Sequence, residues 1–381
     1  MQKNGFFDEI KGNFGFGCMR LPMIGDEVDH KQFCEMADAF IEAGFNYFDT
    51  AHGYINGKSE TAIRDCVAKR YDRSRFLLTN KLTDSYFDSG EDIVPFFKSQ
   101  LALCGVEYFD FYLMHAQNRE NYKKFKSCKA YETCYGLKKQ GLIRHLGLSF
   151  HDSADVLDMI LTEHPEIEAV QIQFNYIDYE DKSVQSREVY EVCEKHGKPV
   201  IIMEPVKGGN LVDLPQEADT ILRELNGGSN ASYAIRFAAG FPRVAMVLSG
   251  MSNIGQMNDN LSFMKDFVPL DQRELDAISR VCDIFRKQNR IPCTSCRYCI
   301  EQNVCPADIL IPDLFSAYNV YETFHSWNTK MYYHSTLTKD HGKASDCIEC
   351  GGCESVCPQH LPIRDLLKDV AGVFERRRNN G

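Results

Sequence analysis

Four side chains in the first third of the chain have the types needed to reduce a carbonyl group. Asp49 and Tyr54 stand in FDTAHGY, Lys81 in LLTNKL and His115 in YLMHA. A carbonyl that accepts a hydride becomes an alkoxide and needs a proton. Tyrosine ordinarily ionises near ~10, too high for ready donation at neutral pH. A nearby ammonium stabilises the phenolate and lowers that value, and Lys81 can supply the charge. Asp49 can hold Lys81 charged and oriented. His115 can donate a hydrogen bond that polarises the carbonyl oxygen. Singly, each residue also has a plain structural reading: a helix cap, a solvated lysine, a satisfied core histidine, loop packing. Only their convergence on one mouth makes a reaction, so the elements that carry them decide the matter.

A second chemistry lies in the cysteines. Of sixteen in the chain, eight are scattered through residues 1–292 and eight form two tight groups after that point. The later group, CIECGGCESVCP, places Cys347, Cys350, Cys353 and Cys357 before a proline. This C-x2-C-x2-C-x3-C-P spacing is one that holds a 4Fe–4S cluster. Zinc is the alternative for four thiolates, although its sites more often use two separated C-x2-C pairs. The earlier group, CTSCRYCIEQNVCP, places Cys293, Cys296, Cys299 and Cys305 before a proline and has a longer last gap.

Stepping along residues 13–265, apolar runs rich in β-branched and aromatic residues alternate with stretches of helical spacing. Strands are predicted at 14–19, 46–50, 76–80, 109–114, 145–149, 169–174, 199–203 and 245–249. Helices are predicted at 29–43 (capped by Asp29), 59–68 (starting at Ser59), 93–103, 122–139, 153–163, 186–196, 230–239 and 253–264. Eightfold alternation over this length predicts an α/β fold, a closed (β/α)8 TIM barrel. A doubly wound open sheet would show a glycine-rich phosphate loop opening a helix after its first strand, and GNFGFGC has no helix close behind. In such a barrel Asp49, Lys81 and His115 fall at the C-terminal ends of strands two, three and four, with Tyr54 just beyond, where barrel chemistry is done.

These patterns divide the chain into a barrel at 1–270, a charged linking helix at 271–290 and a small, mostly helical iron–sulfur domain at 291–381. The aromatic-rich stretch 314–333 holds Phe315, Tyr318, Tyr321, Phe324, Trp327, Tyr332 and Tyr333. It reads as packing around the clusters, with a substrate lid as the alternative. Seven of the scattered cysteines (Cys34, Cys66, Cys104, Cys128, Cys134, Cys193 and Cys282) read mostly as small core residues. Cys18 stands apart because it follows the first strand at the mouth. The net charge of −11 argues against nucleic acid as a partner, and Arg376–Arg378 reads as a solvated tail. The opening MQKNGFFDEIKGNFGFG has no apolar stretch of signal-peptide length, and no window reaches the ~20 apolar residues of a membrane span. A cytoplasmic protein without membrane contact is expected, and in a reducing compartment clustered cysteines hold metal more often than disulfides.

At its four reactive residues and over roughly residues 13–265, the chain resembles the aldo-keto reductase superfamily. The resemblance implies that Asp49, Tyr54, Lys81 and His115 are the catalytic tetrad. It also implies an extended NADPH or NADH laid across the barrel mouth, with a small carbonyl or alcohol as substrate. The family's cofactor positions fall on Gly17, Cys18 and Met19 after the first strand, and on Ser149 and Gln171 at the nicotinamide carboxamide. Met203 stands where relatives stack a tyrosine on the ring, and Phe150 where they have Asn. Gly250, Met251, Asn253, Gln256 and Asn260 match the adenosine end. NADPH-preferring relatives have Lys and Arg in place of Gly250 and Gln256, so use of NADH comparably or better is expected.

The cysteine groups resemble a two-cluster bacterial ferredoxin, and GFGCMRLP, GMSN and CIECGGCESVCPQHLPI resemble the subset of aldo-keto reductases with a ferredoxin-like tail. Two 4Fe–4S clusters follow. In the ferredoxin pattern each fourth cysteine serves the other cluster. That implies Cys293, Cys296, Cys299 and Cys357 for one, and Cys347, Cys350, Cys353 and Cys305 for the other. Clusters pass single electrons whereas nicotinamide moves a hydride, and a flavin usually couples the two. No sequence feature marks a flavin site. The clusters can therefore be structural, redox-sensing, or feeders of a flavin held in the barrel. The rival reading is an electron-transfer protein with a redox protein partner and the barrel as platform.

Overall fold

The structure, a computed structural model, describes residues 5–180, 184–287, 291–293, 297–301, 304–324, 329–330, 333–339 and 341–375. The chain divides into two compact units: Met1–Asp181, Gln185–Asp213 and Leu222–Ile278 form one, and Lys182–Val184, Leu214–Ile221 and Ser279–Gly381 form the other. Among the described residues no helix is long and apolar enough to cross a membrane.

The first unit is built on a closed barrel of eight parallel strands. They are β1 (Phe14–Gly17), β2 (Tyr47–Asp49), β3 (Leu77–Leu82), β4 (Phe109–Gln117), β5 (Ile143–Phe150), β6 (Ala169–Gln173), β7 (Val200–Met203) and β8 (Val244–Gly250). Each pairs with the next along the chain, and β8 closes onto β1 through Gly17 opposite Gly250. Outside lie α1 (His30–Glu42), α2 (Lys58–Ile63, running on as a π-turn over Arg64–Ala68), α3 (Gly90–Cys104), α4 (Arg119–Ser127), α5 (Ala130–Lys139), α6 (Ala154–Glu163) and α7 (Ser186–Lys195). Then follow α8 (Gln216–Arg223), most of which belongs to the second unit, α9 (Asn230–Ala239), α10 (Ile254–Met264) and α11 (Gln272–Lys287), which runs from the first unit into the second.

The twofold period of a strand sends alternate residues into the barrel. Its lower interior is packed by Tyr47, Leu77, Phe111, Ala169, Ile201, Ala245, Met246 and Leu248, with Phe7 and Ile10 from the N-terminal segment in the same cluster. Close packing demands a glycine on β5: a Cβ on Gly147 would come within 2.7 Å of the Ala169 carbonyl oxygen. The same period carries polar residues to the upper rim, namely Asp49 two positions after Tyr47 and Lys81 four after Leu77.

Several expectations need correction. Helix 122–139 is two helices, broken where Lys129 takes a left-handed φ of 55°. Ser59 does not start its helix; that follows Gly57 at φ 83°, and the Ser59 hydroxyl instead donates to the Cys18 carbonyl. A two-residue hairpin, Met23–Ile24 against Glu27–Val28, and α8 were not expected.

The second unit holds α12 (Tyr298–Glu301), α13 (Ile311–Phe324), α14 (Gly352–Ser355) and α15 (Ile363–Phe374). Leu314, Phe315, Tyr318 and Tyr333 join Ile363, Leu367, Val370 and Phe374 in its core, where Tyr333 stacks on Phe374. Much of the aromatic stretch is thus packing. Trp327, Tyr332, Cys296, Arg376–Arg378 and the end of the linking segment (288–290) lie outside the described residues.

Candidate active site

Lys81 is wholly buried at the upper rim, which is costly for a charge unless it is paired and hydrogen-bonded. Its Nζ donates to Asp49 Oδ1 at 2.6 Å, to the Thr50 carbonyl at 2.9 Å and to the Tyr54 hydroxyl at 3.2 Å. Burial works against its charge, yet Asp49 and Tyr54 hold it above the ordinary lysine value. Asp49 Oδ2 accepts from Gln171 Nε2 at 3.1 Å, and its carbonyl accepts from the Cys18 amide at 2.8 Å. Of the expected cofactor residues, Gln171 therefore holds the carboxylate and the Cys18 amide the Asp49 backbone.

One expectation is reversed. Burial pushes the Tyr54 hydroxyl above its ordinary value, and the opposing pull of Lys81 does not overcome it. The phenol is protonated throughout the neutral range. The rings of His115 and Tyr54 meet in a T-shaped arrangement, with centroids 6.2 Å apart. Burial, then Lys81 and His151, push its imidazole well below the ordinary value, so it is neutral. Its Nδ1 lies 2.6 Å from Thr83 Oγ1, a partner the sequence did not suggest.

A hydrogen-bonded network that no local sequence pattern reports lies behind Lys81. Glu60 is wholly buried and accepts from Asn80 Nδ2 and, across 2.7 Å, meets His52 Nδ1. Asn80 Oδ1 accepts from the Lys81 amide and from Gln100 Nε2, which also donates to the Lys81 carbonyl. The backbone that presents Lys81 is thereby fixed on both sides. A glutamate in the middle of the apolar face of α2 was the available signal.

The expected cofactor positions fall into distinct settings. Ser149 Oγ is buried without a hydrogen-bond partner among the described residues. An orphaned hydroxyl at a barrel rim fits a bound amide or carbonyl group. Cys18 is buried, its thiol pushed well up by burial and then by Asp49. Met203 is half-buried at the end of β7, whereas Met19 is exposed. Gly250 is exposed, with the stem of Arg20 across it. Asn253 caps α10 by accepting from the Gln256 amide, Gln256 accepts from the Ser252 amide, and Asn260 donates to Ser249. Met251 is buried.

In the second unit Cys305, Cys347, Cys350 and Cys353 line one pocket with Val304, Ile309, Ile311, Ile348 and Leu367. Cys353 is buried and Cys350 exposed. Four thiolates in an apolar wall suit an iron–sulfur cluster. Among the described residues no three His, Cys, Asp or Glu gather as they would around a single ion. In a 4Fe–4S cluster each cysteine binds a different iron, so the sulfurs stand further apart. Cys299 is buried, and Cys293 and Cys357 are half-buried.

A sequence profile described as the Aldo/keto reductase family matches residues 13–283, and one described as a 4Fe-4S dicluster domain matches residues 292–361. Among curated relatives, the uncharacterized oxidoreductase YqkF of Bacillus subtilis is 24% identical over 294 residues, covering 68% of this chain and 89% of that protein. The 7-acetyl-epi-neemfruitin B aldo-keto reductase of Melia azedarach is 25% identical, covering 68% of this chain and 85% of that protein. Among solved structures, an aldo-keto reductase from Klebsiella pneumoniae in complex with NADPH superposes with a TM-score of 0.58 at 17% identity, covering 71% of this chain and 90% of that one. The holo form of an aldo-keto reductase from Bacillus halodurans gives 0.57 at 23% identity, covering 71% and 91%. These two likenesses concern the fold.

Proposed function

This chain is an oxidoreductase of the aldo/keto reductase family with a 4Fe-4S dicluster domain after the barrel, and from that premise we propose that it reduces a small carbonyl compound with Tyr54 as proton donor. The observation that carries the proposal is the buried Lys81, bonded at once to Asp49 and to the Tyr54 hydroxyl. A nicotinamide cofactor, NADPH or NADH, would supply the hydride. Ser149 and Gln171 would hold its carboxamide, and the orphaned Ser149 hydroxyl supports that fit. Gly17, Cys18, Met19 and Met203 would line its nicotinamide half, and Gly250, Met251, Asn253, Gln256 and Asn260 its adenosine end.

The Tyr54 hydroxyl gives its proton to the alkoxide oxygen as that charge develops. The resulting phenolate is held by the Lys81 ammonium, which Asp49 keeps charged and oriented. Neutral His115 donates a hydrogen bond to the same oxygen. A barrel kept only as an electron-transfer platform would gain nothing from a lysine buried at such cost.

Two 4Fe–4S clusters belong to the proposal, one on Cys305, Cys347, Cys350 and Cys353 and the other on Cys293, Cys296, Cys299 and Cys357. The proposed organisation is a barrel at 1–270, a linking helix at 271–290 and the cluster domain at 291–381. The exposed Cys350 supports electron exchange with a redox protein partner. Without Lys or Arg at 250 and 256, NADH should serve comparably to NADPH or better.

Anaerobically purified holoprotein tests the reading through iron and sulfide analysis, bound-nucleotide analysis, and steady-state kinetics with NADH and NADPH on para-nitrobenzaldehyde. Tyr54→Phe should abolish reduction while leaving the cluster absorbance intact. An undiminished Tyr54→Phe rate, or a bound flavin in place of nicotinamide, refutes it. A large NADPH advantage refutes the cofactor preference alone.

A further inference from the structure

Thr83 follows directly on β3, and His115 stands near the end of β4. Because Leu82 pairs with Met114 in the barrel register, the next residue on each strand falls side by side. Thr83 is extended, with φ −103° and ψ 133°, and its Oγ1 lies 2.6 Å from His115 Nδ1.

The backbone at His115 is held on both sides. The register between β4 and β5 shifts between Met114 and Gln117, and Ala116 takes a left-handed φ of 49°. Asn121 Nδ2 donates to the Ala116 carbonyl, and Gln117 Nε2 to the His115 carbonyl. Gln117 Oε1 in turn accepts from the Tyr131 hydroxyl. A bulge that is tied down in this way aims one side chain.

The groups around the imidazole are Thr83, the ring of Tyr54, the Lys81 ammonium and His151. Beside a buried ammonium the ring stays neutral and carries a single N–H. Which nitrogen bears it is set by the hydrogen bond made at the other. A threonine hydroxyl can donate or accept. Among the described residues Thr83 Oγ1 has no second partner, so Nδ1 is the protein acceptor within reach of its proton. Donating to Nδ1 satisfies both groups.

We propose that Thr83 is a positioning residue whose hydroxyl donates to His115 Nδ1 and thereby keeps the imidazole proton on Nε2, ready for a substrate oxygen. This rests on the role given to His115 above and extends it to a residue that acts through the imidazole. An Nδ1–H tautomer would turn an unprotonated Nε2 toward the carbonyl, where two acceptors repel.

Long-range proton–nitrogen NMR spectra of the oxidised holoprotein read the tautomer without turnover. In the wild type, Nδ1 should be unprotonated and Nε2 protonated. Thr83→Val keeps the shape and removes the hydroxyl. It should mix the tautomers and lower kcat for para-nitrobenzaldehyde about tenfold, the worth of one hydrogen bond. The KM for NADH should stay unchanged, and Thr83→Ser should restore both tautomer and rate. A wild type protonated on Nδ1, or a Thr83→Val protein with unaltered tautomer and kcat, overturns the proposal. If the wild type reduces no carbonyl yet Thr83→Val shifts the tautomer, the Thr83 assignment is supported and the reductase reading fails.

Discussion

Replacing Lys81 with Met strips Asp49 of the cation 2.6 Å away, in a residue whose side chain is only 4% exposed. Removing one partner of a buried pair costs about 3–5 kcal/mol, because the remaining charge has neither water nor counter-ion. Asp49 keeps its bond from Gln171 Nε2, which favours the lower end of that range. Each kcal/mol lowers the melting temperature of a domain this large by about 2–4 °C, so Lys81→Met should melt about 6–12 °C below the wild type. Asp49→Asn in the same chain removes the stranded charge while keeping an acceptor for Gln171. The double variant should therefore recover most of the lost stability. Its activity should not return, since the Tyr54 phenolate still lacks the ammonium 3.2 Å from its oxygen. Losing a preorganised charge at a reacting centre costs about a hundredfold to a thousandfold in kcat. Thermal unfolding followed by circular dichroism, and turnover of para-nitrobenzaldehyde on the same samples, give both quantities. The reasoning is refuted if Lys81→Met melts within about 2 °C of the wild type, or if the double variant regains turnover with its stability.

Three further outcomes are expected. Burial opposes the charge on His145, but Glu168 and Glu9 outweigh it and hold the imidazolium above its ordinary value. Its stabilising effect is thus complete below about pH 6.5 and lost as pH rises through the raised value; melting curves of His145→Gln should lack that alkaline decline. Ser149→Ala should raise the KM for NADH about fivefold to tenfold, the worth of one buried hydrogen bond, with unchanged cluster absorbance; an unchanged KM counts against a carboxamide contact. Cys305→Ala and Cys353→Ala should each remove about half of the iron, and the double variant no more than either, if both serve one cluster; additive iron loss would separate them.

The eight strands were legible because each is a short apolar run bounded by Gly, Pro or polar residues, and the rim residues because chemistry-bearing types sit just where those runs end. What depended on depth was not legible. The break between α4 and α5 carries no Gly or Pro; Lys129 simply takes φ 55°, a cost the surrounding packing covers. The Met23–Ile24 hairpin strand is too short for any periodicity. The α8 start, by contrast, is marked in the sequence by Pro215 before Gln216 and by acidic residues in its first turn. The Glu60–Asn80–Gln100 network joins residues twenty apart in sequence, which no local pattern reports. The sign of the Tyr54 displacement depends on burial outweighing a neighbouring charge, and a residue list contains only the charge.

That sign gives the two directions of the proposed reaction different dependences on pH. Reduction needs Tyr54 protonated, and the oxygen that receives the proton is an alkoxide, a far stronger base than a phenolate. Transfer is then downhill even from a phenol displaced upward by burial. Oxidation of an alcohol needs the phenolate first, and burial disfavours that form while Lys81 only partly offsets it. Neutral His115 suits both directions, because its displacement is downward and keeps it uncharged across the neutral range. Initial rates measured from about pH 6 to about pH 10 should separate the two ionisation states. Carbonyl reduction should stay flat, and alcohol oxidation should climb throughout as the phenolate fraction grows. An oxidation rate that levels off near neutral pH would mean that Lys81 governs Tyr54 after all, and that burial is the smaller influence.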